Sequence, residues 1–214
     1  MSEQPPCPPL WTRMFVLLTV ANVGMAMIFY MLTATISTWA VTELDASQSE
    51  AGLLGTAWFL GAMLARLVGG LVLQRLGERT SVVASLAGLF VGTLLYPLLA
   101  QVTQLLALRL VHGSFFGLAA TAVAGAAPSR IPIERRGEGS GWFSFGLAVS
   151  TGLGPFVGSL VQRSSLGQAG VFALGMACSL VSLAGGLLVV RQLHARPAAS
   201  PGWCSPRWPP AAGC

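Results

Sequence analysis

Residues 14–42 read MFVLLTVANVGMAMIFYMLTATISTWAVT, a run without a single Asp, Glu, Lys or Arg. A helix needs about 20 apolar residues to cross the hydrocarbon layer of a bilayer, and this run exceeds that. Four more charge-free runs follow, at 80–108, 110–129, 139–162 and 164–190. Only 9% of the 214 residues are charged and 54% are hydrophobic, whereas soluble domains carry about 25% charged residues. Lipid is therefore the expected solvent. The segment before the first run, MSEQPPCPPLWTR, lacks the basic start and short apolar core of a cleavable signal, so the first span is expected to remain in the protein.

Turn and charge punctuation divides the chain into six helices, over 14–40, 49–73, 80–100, 104–127, 139–162 and 168–190. Serine and glutamate in SQSE, at Ser47 and Glu50, form a capping box that opens the second helix. An uncharged linker at 97–104 has to separate the third helix from the fourth, because a continuous helix there would be too long for the bilayer. Residues 1–13 read as a cytoplasmic segment, 14–190 as the membrane domain, and 191–214 as a disordered, proline-rich cytoplasmic tail.

All twelve basic residues are Arg. With the N-terminus inside, Arg13, Arg75, Arg79, Arg130, Arg135, Arg136, Arg191, Arg196 and Arg207 fall on the cytoplasmic side, and Arg163 alone falls outside. This bias sets a multi-pass topology in the cell membrane with both termini cytoplasmic. The net charge of +5 is spread singly or in pairs between apolar runs, so nucleic acid is not an expected partner. Trp11, Trp39, Tyr96 and Trp142 fall near span ends, where amphipathic rings favour the interface. Cys7, Cys178, Cys204 and Cys214 show no metal-ligand spacing and read as free thiols. No metal or other cofactor is expected. No carboxylate pair or nucleophile motif lies at membrane depth, so an enzyme is not expected.

GGLVLQRLG at 69–77 is echoed as GSLVQRSSLG at 158–167, each copy where a helix ends and on opposite sides of the membrane. Three helices followed by three inverted ones would produce such an echo; so would chance among common residues. Gly113, Gly117, Thr121 and Gly125 recur every four residues in the fourth helix, as do Gly146, Ser150, Gly154 and Gly158 in the fifth. Small residues at that spacing let helices approach closely in lipid. Pro155 deprives the carbonyl of Thr151 of its donor and marks a candidate hinge.

Two cations fall within spans, Arg66 and Arg109. Arg109 lies near the outer end of its helix. It either snorkels to the surface or, sharing a face with Gly113 and Gly117, turns inward to a polar cavity or partner. His112 is the only side chain at depth that titrates near neutrality; it reads either as a proton carrier or as a neutral histidine satisfied by a hydroxyl. Asn22, Tyr30 and Thr33 add polar groups on the first helix. Asn22, Tyr30, Arg66, Arg109 and His112 are the candidates for a substrate or proton pathway.

Three motifs make the chain resemble the N-terminal six-helix half of the major facilitator superfamily, in particular its bacterial sugar-efflux and drug-efflux-like members. The loop between the second and third helices supplies Gly70, Arg75, Gly77 and Arg79, with Gln74 where the family has an acid and Glu78 where it has a base. The fourth helix supplies Arg109, Gly113 and Gly117, and the fifth supplies Gly141, Gly154, Pro155 and Gly158, with Ser150 and Ser159 in place of two glycines. The resemblance implies an all-α membrane fold of two inverted three-helix repeats, an Arg109 that lines a central cavity, and secondary transport of a small organic solute, outward by alternating access. It also implies a second six-helix half, as a missing C-terminal portion or a second copy in a homodimer. The other reading is a non-transporting remnant or an assembly partner of another membrane protein.

Overall fold

The computed structural model describes residues 9–194. Residues 1–8 and 195–214, and with them Cys7, Cys204, Cys214 and the expected disordered tail, lie outside the described residues. Five long helices follow one another: α1 Arg13–Glu43, α2 Gln48–Leu95, α3 Val102–Ala126, α4 Arg136–Gln162 and α5 Gly167–His194. Short 3-10 turns sit at Tyr96–Leu98, Pro128–Arg130 and Ile133–Arg135. All five helices are long and apolar enough to cross a membrane, and no strand occurs among the described residues.

Five helices stand where six are expected, and the difference lies at one residue. The expected loop after position 73 is helical except at Gly77, whose φ of 79° and ψ of 157° interrupt α2. An unbroken helix of 48 residues would run about 72 Å at 1.5 Å per residue, more than twice the hydrocarbon thickness. The contacts of the two arms run in opposite senses along α3. Before Gly77, Gly61 abuts Leu110, Ala62 abuts Gly117, and Gly69 faces Thr121. After it, Gly88 abuts Phe115, Gly92 meets His112, and Tyr96 bonds His112. The arms therefore lie side by side against α3, pointing opposite ways.

The capping box forms as expected. The Glu50 backbone N–H donates to Ser47 Oγ at 3.3 Å, and the Ser47 backbone N–H donates to Glu50 Oε2 at 2.9 Å. At the other expected break, the 3-10 turn at Tyr96–Leu98 passes into extended Leu99. Pro155 lies inside α4 without ending it.

α1 packs against α4 and α5 and runs through the interior. Its Ile28, Leu32 and Ile36 join Leu54, Tyr96, Leu105 and Phe172 in one buried cluster, while Met25 and Phe29 join Trp58, Leu86 and Phe116 in another. The outer surface is apolar as well, with Leu67 73% and Phe156 64% exposed. Helices hydrophobic all round suit a lipid environment.

The bundle has two distinct ends. Leu10, Phe15, Ile131 and Phe143 cluster at the end that holds Gly77, where Arg130 bonds Glu78. At the opposite end Ala40, Ala46, Leu105 and Val171 come together. Gly77 and Gly167, the last residues of the two echoed segments, turn the chain at opposite ends, and both have positive φ, 79° and 54°. Glycine carries no Cβ penalty in that region.

Candidate functional site

Arg109 is completely buried. Its Nε donates to the Leu54 carbonyl at 3.1 Å, and its guanidinium carbon lies 4.7 Å from the centroid of the Trp58 ring. The two terminal guanidinium nitrogens are buried without a hydrogen-bond partner. The cation thus lies between α3 and the arm of α2 that precedes Gly77, residues 48–76, called arm one. It neither snorkels nor carries exposed surface toward a cavity.

His112, one helical turn on, is also fully buried. Its Nδ1 lies 3.1 Å from the Tyr96 hydroxyl and its Nε2 lies 3.4 Å from Thr93 Oγ1. Thr93 gives its own hydrogen to the Leu89 carbonyl at 2.8 Å, so it accepts from Nε2–H, and Nδ1 accepts from Tyr96. This assignment satisfies both ring nitrogens with the imidazole neutral. Trp58 closes the group edge-on, 4.5 Å from the His112 ring.

Trp58, Thr93 and Tyr96 are the members of this cluster that the sequence reading misses. Tyr96 falls near a span end and is expected at the interface, but it is buried because the chain tucks it under α3 in the 3-10 turn. A tyrosine 16 positions before a membrane histidine carries no sequence signal of pairing. Trp11 and Trp142, whose rings lie 5.4 Å apart, are about half exposed at the Gly77 end, in keeping with an interfacial role.

The four-residue glycine spacing is explained by backbone contact. A Cβ on Gly113 would meet the Trp58 carbonyl, one on Gly117 the Ala62 carbonyl, and one on Gly61 the Leu110 carbonyl. In α4, a Cβ on Gly146 would come to 2.7 Å from Val23, one on Gly154 to 2.5 Å from Tyr30 and one on Gly158 to 3.2 Å from Met31. Ser150 between them is buried and donates to the Gly146 carbonyl. One seam therefore joins α3 to α2 and the other joins α4 to α1. Gly141 has open space around it and belongs to neither.

The remaining pathway candidates divide. Asn22 is buried and donates to the Phe143 carbonyl at 3.4 Å. Tyr30 is half-buried, and Thr33 Oγ1 is buried without a partner. Arg66 is exposed. It shares a face of arm one with Gly52, Thr56, Phe59, Met63 and Gly70, spaced by fours and threes and all exposed. Eleven residues separate it from Gly77, about 16 Å along the axis, and helical side chains lean toward the N-terminus, here away from that nearer end. Arg66 and Arg109 are thus on different sides of the same arm and do not form one site.

In the turn itself, Gly70 and Arg75 are exposed, and Gln74 is exposed where the resembled pattern has an acid. Glu78, standing where that pattern has a base, pairs with Arg130 at 3.0 Å and so ties the turn to the 3-10 turn that follows α3.

The family described as Major Facilitator Superfamily matches residues 18–207 of the chain. No curated protein matches it.

Proposed function

Because the chain belongs to the Major Facilitator Superfamily, a family of membrane transporters, we propose that its helices form one wall of a path that carries a small organic solute out of the cell by alternating access. The observation that carries this reading is Arg66, an exposed cation at membrane depth. Exposure to hydrocarbon would cost at least about 2.5 kcal/mol on insertion scales, so such a residue faces water, a substrate or a partner. The open space at Gly52, Gly55 and Gly70 on arm one supports the same orientation. That wall needs a second six-helix unit opposite it, supplied by a C-terminal half or by a second copy.

The two antiparallel arms of α2 are read as separate crossings, which gives six in all, arranged as two inverted three-helix repeats. Support comes from the paired turns at Gly77 and Gly167, at opposite ends and with the same unusual sign of φ. The end carrying Arg13, Arg75, Arg79, Arg130, Arg135, Arg136 and Arg191 is read as cytoplasmic in the cell membrane, the other end having Arg163 with Glu43, Asp45 and Glu50.

Everted vesicles energised by a proton gradient and supplied with labelled sugars or with ethidium test the proposal. Gradient-dependent accumulation that falls when Arg66 becomes Ala is expected. Flux no greater than in vesicles lacking the protein would overturn it.

A further inference from the structure

At the end of the bundle opposite Gly77, α1, α4 and the start of α5 line an open pocket of about 380 Å³, within the usual range of about 300–1,000 Å³ for small-molecule sites. An anion, Glu43, and a cation, Arg163, both line it. Neither is engaged in an ion pair among the described residues. Its polar floor is already fixed: Gln162 Nε2 donates to the Thr35 carbonyl and to Gln168 Oε1, both at 3.1 Å, and Gln168 is buried. Trp39, braced edge-on by Phe172 at 5.4 Å, gives the pocket an apolar side.

A neutral sugar would leave both charges unmatched, and an ion of one sign would leave one of them unmatched. A compact zwitterion with an apolar body matches all three features. We propose that this pocket binds an amino-acid zwitterion, its carboxylate toward Arg163, its ammonium toward Glu43 and its side chain against Trp39. The amides of Gln162 and Gln168 tie the end of α4 and the start of α5 to Thr35 of α1, so the backbones that carry the two charges are already held together, which lowers the ordering cost of binding. The site is formed by this chain alone and does not rest on the transport reading.

Calorimetry of the full chain in neutral-lipid nanodiscs tests it, with L-leucine as the probe and leucine methyl ester and 4-methylpentanoate as controls that each lack one charge. Saturable binding of leucine, about fivefold tighter than either control, is expected. Glu43→Gln and Arg163→Gln should each weaken it about fivefold, the upper range for an exposed charge pair. Both side chains are exposed, so the thermal unfolding midpoint should not move and will report any loss of fold. No saturable heat with leucine, equal binding of the methyl ester, or unchanged affinity in both variants would overturn the proposal. A protein that binds leucine but moves no solute across vesicles would leave this site standing and remove the transport reading instead.

Discussion

Replacing Arg109 by Met should leave the protein as stable as before or make it more stable. The wild-type side chain gains one charged hydrogen bond, to the Leu54 carbonyl, worth about 1.5–3 kcal/mol. It also gains the Trp58 face at 4.7 Å, worth about 2 kcal/mol when desolvated. Against these stand two buried nitrogens without acceptors, at about 1–3 kcal/mol each, and the burial of a permanent charge, at several kcal/mol more. Met ends where Arg Nε lies, so its adaptable apolar chain replaces the stem and leaves the guanidinium space to repacking, at about 1 kcal/mol. The balance favours Met by about 1–3 kcal/mol. Lys keeps the charge but loses the planar fork and should fall below the wild type. Tryptophan-fluorescence melts of purified protein in detergent would read this as a rise of about 2–4 °C per kcal/mol for a domain of this size. An Arg109→Met melt lower than wild type by several degrees would show that the terminal nitrogens have partners, and the reasoning would fail.

The seams make a contrasting pair of predictions. Gly113→Val drives a side chain into the Trp58 carbonyl and should destabilise by about 3 kcal/mol, whereas Gly152→Ala enters open space inside α4 and should stabilise by about 0.5–1 kcal/mol; the same detergent melts compare them. Ser47→Ala removes both the Oγ acceptor for Glu50 N–H and its bond to the Glu50 carboxylate, for a loss of about 1 kcal/mol. Hydrogen exchange should show that loss as faster exchange confined to the first turn of α2. Glu78→Gln removes the ion pair to Arg130, which is partly exposed, and should cost no more than about 1 kcal/mol, shrinking further at high salt; melts at two ionic strengths read the difference.

The membrane fold was legible in the sequence because lipid imposes a composition and a span length that charge-free runs reveal directly. The capping box at Ser47 and Glu50 was legible for a similar reason, since all its partners lie within one turn. The four-residue spacing of Gly113 and Gly117 showed that a close seam exists, but not that it faces the Trp58 and Ala62 carbonyls, because spacing fixes a face and not the neighbour across it. The break after position 73 was visible, yet its confinement to Gly77 was not, because the flanking residues of the turn are all compatible with helix. Tyr96, near a span end, reads in sequence as interfacial. Its contact with His112 depends on how the 3-10 turn folds back, a tertiary event that local pattern does not encode. Arg66 and Arg109 read alike in sequence as cations within spans. Only the packing of α2 on α3 separates them, one to the exterior and one to the interior.

The central claim, that the two arms of α2 are distinct crossings joined at Gly77, is tested most directly by substituted-cysteine accessibility. Single cysteines at Leu76, exposed beside the turn, and at Gln101, with the native cysteines replaced by Ser, would be probed with a membrane-impermeant maleimide in oriented vesicles of both senses. Labelling of position 76 from the cytoplasmic side and of position 101 from the outer side is the predicted result. Labelling of both positions from the same side would contradict it.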